Sequence, residues 1–477
     1  MSSAILSRSP SQPSRPVRRP ALAAFALTSV ALFMVTLDNL VVTTALPAIR
    51  TDLGGGLEGL EWTVNAYTLT FAVLLLTGAA LGDRFGRRRL FVIGVAIFTV
   101  ASALAAIAPS IGALIAARAL QGLGAAIVMP LTLTLLSAAV PAERRGLALG
   151  AWGGIGGLAV ASGPLVGGAI VEGISWQWIF WLNVPLGLAL VPLARRLLSE
   201  SYGPTPRLDL QGVALASIGL LAIVWGLVRG NGQGWGSLEV AGALALGVGV
   251  MAAFVRWELR TEHPMLPPRF FASRAFTATN VVSLLMFFGM FGAIFLLAQF
   301  LQVALGYSPL EAGLRTLPWT GMPLIVAPIA GALSDRTGGR PLITVGMGLQ
   351  AIGLGWMATL LDPAMTYSAL ILPFIVAGIG MGMFFAPVAN VILSSVRPEE
   401  EGQASGANNA VREVGGVFGV AVLAAVFAGA GGYDSPQSFV NGLVPAIWVG
   451  AAALLVGSLA ALFAADSREG HRWPETA

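Results

Sequence analysis

Fourteen long apolar segments divide the chain, and they constrain its fold more than any other feature. A helix needs about 20 residues to cross the ~30 Å hydrocarbon core of a bilayer, and the segments have about that length. Only 10% of the residues are charged, whereas a soluble domain carries about 25%. The sequence therefore predicts an all-α membrane protein with fourteen spans. They begin near Ala21, Trp62, Leu90, Ile111, Gly146, Trp178, Gly212, Leu238, Thr277, Gly313, Leu342, Tyr367, Gly402 and Ser438.

The arginines predict the orientation. All 27 basic residues are arginine. An even number of spans places both termini on one side, and if that side is the cytoplasm, only Arg50, Arg229 and Arg315 lie in outside loops. Such an excess of positive charge in cytoplasmic loops is typical of membrane proteins. We therefore expect a multi-pass protein of the bacterial cytoplasmic membrane with both termini inside.

The residue types that are absent exclude several kinds of chemistry. The chain has no cysteine, which excludes thiolate metal sites and disulfides. It also lacks lysine, which a Walker-type phosphate-binding loop requires. No cluster of metal ligands and no nucleophile with a base is found in the sequence, so we expect no cofactor, no metal and no enzyme activity. The arginines sit in short loops, which argues against nucleic acid as a partner.

An internal repeat predicts the domain organisation. The segment LGDRFGRRR begins at Leu81 after the second span, and LSDRTGGRP begins at Leu333 after the tenth. Because direct fusion of two six-helix halves would place the copies six helices apart, two extra helices must lie between the halves. The predicted division is a disordered cytoplasmic tail (1–20), a six-helix bundle (21–195), two inserted helices (196–275), a second six-helix bundle (276–465) and a cytoplasmic tail (466–477).

Asp38 and Arg118 are the first ionisable pair expected inside the bilayer. At 1.5 Å per residue, Asp38 lies ~13 Å from the outer end of the first helix and Arg118 ~10 Å from the outer end of the fourth. A charge at such a depth costs about 3 kcal/mol unless it is paired or hydrated. Two interpretations stay open, a purely structural ion pair and a site that exchanges protons. We favour proton exchange, because a carboxylate whose contact with arginine changes can gain and lose a proton.

Glu413 and Asn409 share one face of an unusually polar membrane helix, and Arg412 lies next to them. This pattern predicts one wall of a water-filled cavity, with a charged helix end at the membrane surface as the alternative. In the helix before the fifth loop, SGPLVGG contains Gly163 and Pro164, which predict a bend that admits another helix. The stretches LLMFFGMFGAIF and GMGMFFAP could line an apolar pocket, but we expect most of their side chains to face lipid.

Together these motifs resemble the major facilitator superfamily, in particular its fourteen-helix drug:proton antiporters. The resemblance covers nearly the whole chain. It rests on LGDRFGRRR and its weaker second copy, on ARALQGLGAA around Arg118, on the glycine–proline segment at Gly163, on LDNLVVTTALPAI around Asp38, and on WQWIFWLNVPLG. The chain departs from the usual pattern at Leu40, Thr43, Ala79 and Gln177, and it has Glu413 where many relatives carry glutamine.

The resemblance implies a monomeric exporter that exchanges external protons for an amphipathic, cationic or neutral drug by alternating access. An uptake symporter or facilitator and a non-transporting membrane sensor are the alternatives. The residues expected to act fall into three groups. Those for proton coupling are Asp38, Arg118 and Glu413; those for substrate binding are Asn408, Asn409, Glu413, Gln299 and Gln302; and those for gating are Asp83, Arg84, Arg87, Asp335, Arg336, Gly163 and Pro164.

Overall fold

The computed structural model describes residues 18–203, 209–397 and 400–463, with the backbone alone for 18–20, 142–147, 149, 150, 335 and 402. Fourteen helices within these ranges are long and apolar enough to cross a membrane, which confirms the predicted number. The first helix begins at Arg18, three residues inside the tail predicted as disordered. The rest of that tail and the C-terminal tail at 466–477 lie outside the described residues.

The first half of the chain forms α1 to α7, in which α2 packs on α4, α3 on α4, and α1 on α5. The sixth span is divided between α6 and α7. Glycine permits close packing here, since a Cβ on Gly124 would lie 2.7 Å from the backbone nitrogen of Phe98 in α3. The helices are α1 (Arg18–Leu53), α2 (Leu57–Phe85), α3 (Arg87–Ala106), α4 (Ile111–Ala139), α5 (Ala142–Gly173), α6 (Trp178–Trp181) and α7 (Asn183–Leu197).

Two helices, α8 (Leu210–Gln233) and α9 (Leu238–Glu258), lie between the halves in sequence. They pack mainly on each other, and α8 also contacts α2 and a helix of the second half, α15 (Glu401–Ala430). Trp225 of α8 lies 5.8 Å from the Trp62 ring of α2. Arg229 forms ion pairs with Glu58 of α2 and with Glu239 of α9. The inserted pair therefore covers the seam where α2 meets α15.

The second half packs in the same manner as the first, with α13 on α14, α10 on α15, and α13 on α16. A short π-helical turn (Phe300–Ala304) extends α10. The tenth span is divided at Gly321 between α11 and α12. Besides α15, the helices are α10 (Arg274–Gln299), α11 (Pro309–Thr320), α12 (Met322–Thr337), α13 (Gly339–Leu360), α14 (Ser368–Ser394) and α16 (Pro436–Ala461).

The halves meet along α2–α15 and along α5–α11–α12, and the second contact has the shape of a wedge. We call the end of the molecule that carries the α1–α2 loop the predicted outer face. At this end, a Cβ on Gly168 of α5 would clash with the carbonyl oxygen of Pro309 in α11. Further along α5, a Cβ on Gly157 would lie 3.6 Å from the Leu324 side chain. At Gly153, one turn beyond, a Cβ would meet nothing within 4 Å. Thus α5 and α12 diverge away from the predicted outer face.

Candidate functional site

A buried ion pair joins α1 to α4. Nη1 of Arg118 donates to Oδ2 of Asp38 at 2.5 Å, and both side chains are completely inaccessible. The sequence predicted the two groups at matching depths, and the structure brings them into direct contact. The contact crosses 80 residues of chain, so it is a product of helix packing.

Two amides complete the surroundings of the carboxylate. Oδ1 of Asp38 accepts a hydrogen bond from Gln121 at 3.0 Å and another from Asn183 at 2.7 Å. Gln121 also donates to Ser102 and accepts from Arg118. Sequence reasoning did not select Gln121 or Asn183 as site residues, although both stand in motifs that it singled out. For Gln121, the signal available in the sequence was an amide side chain one helical turn after Arg118 in an otherwise apolar segment.

Arg118 has further partners that hold it in place. Its Nε donates to the carbonyl oxygen of Thr63 at 3.1 Å, and its guanidinium lies 4.2 Å from the centre of the Tyr67 ring. Nη2 is buried and has no hydrogen-bond partner. Arginine therefore has alternative contacts on α2 that do not depend on the charge of Asp38. The arginine would therefore not be wholly uncompensated if its contact with Asp38 were lost.

A second group of charges lies on α15. The Arg412 guanidinium lies 5.5 to 5.9 Å from the rings of Phe287, Phe384 and Phe385, and it contacts Asn409 at 3.4 Å. Glu413 is partly buried, and its Oε2 is enclosed without a hydrogen-bond partner. Arg412 thus lies against three aromatic rings twelve residues into the helix, well away from its first turn.

The phenylalanines and methionines around Arg412 are buried within the protein. Phe287 is 8% exposed, and Met286, Met381 and Phe384 are completely buried. The expectation that most of these side chains face lipid is therefore wrong. Their helices α10 and α14 are enclosed by α13, α15 and α16, an arrangement that an apolar sequence alone could not distinguish from exposure to lipid.

The structure separates the predicted substrate residues. Asn408 is buried and donates to Asn280 and Ser283 of α10, so it joins two helices of the second half. Asn409 contacts Arg412. Gln299 and Gln302 lie at the predicted outer face, where each has a protein partner.

At that face, polar contacts connect the two halves. Gln302 donates to the carbonyl oxygen of Thr44 at 3.0 Å. Tyr433 donates to Gln299 at 2.6 Å, and Arg50 of α1 lies 3.8 Å from the centre of the Tyr433 ring. Burial raises the pKa of the Tyr433 phenol, so its hydroxyl remains a donor. The cavity below these contacts, between Thr43, Pro164, Trp319 and their neighbours, has about 20 Å³, enough for a single water molecule.

The predicted gating residues fall in both halves of the chain. Asp83 pairs with Arg87 at 2.7 Å, whereas Arg84 lies against the Phe85 ring. Arg336 is not free of partners, and the side chain of Asp335 lies outside the described residues.

Gly163 and Pro164 occupy the two contact surfaces of α5. A Cβ on Gly163 would lie 2.6 Å from Cβ of Leu40 in α1. The carbonyl oxygen of Pro164 touches Gly313 of α11. The segment therefore lets α5 approach both its own half and the opposite one.

Two helical halves around buried charges suit a membrane transport protein. The family model of the Major Facilitator Superfamily matches residues 28–420 and 279–476. The chain therefore belongs to the major facilitator superfamily, as its motifs predicted.

Proteins of similar sequence include antibiotic export proteins. The chain is 36% identical over 423 residues, 88% of this chain and 78% of the relative, to the tetracenomycin C resistance and export protein of Streptomyces glaucescens. It is 37% identical to the cephamycin export protein CmcT of Amycolatopsis lactamdurans, with 88% of each chain covered. It is 36% identical to the multidrug efflux pump LfrA of Mycolicibacterium smegmatis, and the match covers 95% of this chain and 89% of LfrA.

Solved structures share the fold at lower identity. A POT family transporter matches with a TM-score of 0.69 at 14% identity, covering 92% of this chain and 95% of that one. A D-xylose-proton symporter matches with a TM-score of 0.66 at 16% identity, and the match covers 94% of this chain and 98% of the symporter. These matches agree with the all-α fold of two bundles.

Proposed function

We propose that this protein exports amphipathic drugs or antibiotics, cationic or neutral, in exchange for protons by alternating access across the bacterial cytoplasmic membrane. The observation that carries the proposal is the buried Asp38–Arg118 pair with its two amide donors. The named export functions of three relatives support the direction of transport. We further propose that it acts as a monomer with two six-helix bundles (21–195 and 276–465) separated by two inserted helices (196–275).

Proton binding at Asp38 would change the packing of α1 against α4. A neutral Asp38 attracts Arg118 less strongly, and the contacts of the arginine with other helices then include the Thr63 carbonyl and the Tyr67 ring on α2. The arginine would then be held by α2 rather than by α1. Because α2 also packs against α15 of the opposite half, this exchange of partners connects the proton to the seam between the halves.

The substrate site that we propose lies around Glu413, Asn409 and the aromatic cluster of α10 and α14. Glu413 offers an enclosed carboxylate oxygen without a partner, which suits a cation or a hydrogen-bond donor. The rings of Phe287 and Phe385 offer apolar surface. Tyr67 lies within electrostatic reach of both Glu413 and Asp38, so a charged substrate at Glu413 would act on the region of the ion pair.

We propose that the structure corresponds to a state closed at the outer face. Gln299 and Gln302 then serve to close that face, with Gly168 and Pro309 in contact, while α5 and α12 diverge toward the inside. In this assignment the Asp83–Arg87 pair belongs to the opened inner face.

The test uses purified protein in vesicles with an inward proton gradient, a pH-sensitive dye and a lipophilic cation such as ethidium. We expect the cation to dissipate the gradient, and Asp38→Asn to abolish this while the exposed loop variant Asp362→Asn does not. Solute flux without proton movement would indicate a facilitator, and flux of both in the same direction a symporter. No flux of any tested solute would indicate a sensor.

A further inference from the structure

Glu61 of α2 is a buried carboxyl group that the Asp38 site does not use. It is 3% exposed, and its Oε2 has no hydrogen-bond partner. Among the described residues no arginine forms an ion pair with it. One turn further along the same face, Asn65 is completely buried, and both atoms of its amide also lack partners. Burying an ionised carboxylate without a partner is strongly unfavourable, so this surrounding suits the protonated form.

The charged and titratable groups around Glu61 come from every element packed there. On α2 itself, Glu58 lies one turn before it and acts on it electrostatically. Arg229 of α8 is occupied by Glu58 and Glu239. From the second half, Tyr433 lies within electrostatic reach of Glu61.

Two further arginines of the first half have other partners. Arg50 of α1 lies on the ring of Tyr433. Arg118 of α4 binds the Thr63 carbonyl and Asp38. Neither of them neutralises Glu61 in this state.

Glu61 lies near the start of α2, the helix that packs on α15 of the second half. Tyr433 follows α15 and donates to Gln299 at the predicted outer face, so the carboxyl group lies at the same end of the molecule as the contacts that close that face. Separation of the halves here would admit water to the carboxyl group and allow it to ionise. Closure would require the carboxylate to take up a proton.

We propose that Glu61 is a second proton-binding residue, distinct from Asp38, and that its protonation permits the outer face to close. The proton enters from the outer aqueous phase and returns to it when the face opens, so it is not carried across. Asp38, by contrast, has Arg118, Gln121 and Asn183 as donors in the same closed state. Acid outside would therefore favour the outward-closed form through Glu61.

The experiment measures conformation and does not depend on flux or on the drug. Because the chain has no cysteine, Thr51→Cys and Gln437→Cys provide a background-free pair of spin-label sites, one on each half and both exposed. Distances are measured by double electron–electron resonance in lipid nanodiscs between pH 5 and pH 8. We expect the short-distance population to fall as pH rises, by up to about tenfold per pH unit in its ratio to the open form.

Three variants on this labelled background decide the proposal. Glu61→Gln should stay closed throughout, and Glu61→Asp, if the glutamine variant fails to fold, should keep a pH response with a shifted midpoint. The control Asp362→Asn, which changes an exposed loop carboxylate, should respond as the parent does. The proposal is overturned if Glu61→Gln follows the parent profile, if Glu61→Asp leaves the midpoint unchanged, or if Asp362→Asn abolishes the response.

Discussion

Replacing Asp38 by asparagine should destabilise the fold as well as stop proton coupling. The carboxylate accepts from Arg118 on one oxygen and from Gln121 and Asn183 on the other. An asparagine must direct its NH₂ group at one of these sets of donors, and it leaves Arg118 without its counter-charge. Removing one partner of a buried ion pair costs about 3–5 kcal/mol. We expect a loss near ~3 kcal/mol in the free energy of unfolding, because the Tyr67 ring retains up to ~2 kcal/mol of attraction for the arginine.

A double-variant cycle separates the structural role from the proton role. Asp38→Asn combined with Arg118→Gln removes the uncompensated charge and should recover ~2 kcal/mol relative to the sum of the two single variants. Unfolding is followed in mixed micelles against increasing SDS, and export by the same proteins is measured in vesicles. The reasoning is refuted if Asp38→Asn costs less than ~1 kcal/mol or if the single effects simply add. Proton-coupled export by the stable double variant would exclude Asp38 as the proton carrier.

Three other predictions concern the seam, the cavity and a loop. Gly168→Ala places a methyl group against the Pro309 carbonyl, so labelling of single cysteines at the outer face should increase, whereas Gly153→Ala, which faces open space, should change nothing. Glu413→Gln should weaken vesicle transport of a lipophilic cation about tenfold, the loss expected for one charge-assisted contact, with a smaller effect on a neutral compound. In the α14–α15 loop, the hydrogen bond from Arg397 lowers the pKa of Glu400. This contact therefore stabilises the fold at neutral pH, and the stabilisation is lost as the pH falls below 4.5, the ordinary pKa of a glutamate. Glu400→Gln should reduce that acid-dependent loss in thermal unfolding measured over a pH series.

The sequence predicted the membrane architecture well because its signals are local. The length of each apolar segment counts the spans, and the helices begin within about five residues of the positions expected from turn and charge clusters. The copies of the loop motif at Leu81 and Leu333 indicated two extra helices, and the structure places α8 and α9 together against the α2–α15 seam. The depth of Asp38 and Arg118 could also be calculated, because each lies at a known distance along one helix.

The sequence could not show which side of an apolar helix faces lipid. Met286 and Phe384 stand in stretches as apolar as any lipid-facing surface, yet they are buried between helices of the second half. Gln299 and Gln302 are polar side chains of the kind that can bind a substrate, but here they bind Tyr433 and the Thr44 backbone at the predicted outer face. A polar residue in a membrane helix indicates that some partner exists without indicating which one.

The amino-acid sequence by itself determined that the chain crosses the membrane fourteen times, that it repeats a six-helix unit around an insertion, and that it holds a carboxylate and an arginine at equal depth. Only the tertiary structure decided their environment. Asn183 reaches Asp38 across 145 residues, and Glu61 is buried with no partner for its Oε2. The physical reason is that helix formation and membrane insertion depend on neighbouring residues, whereas hydrogen-bond partners in the bilayer depend on which helices pack together.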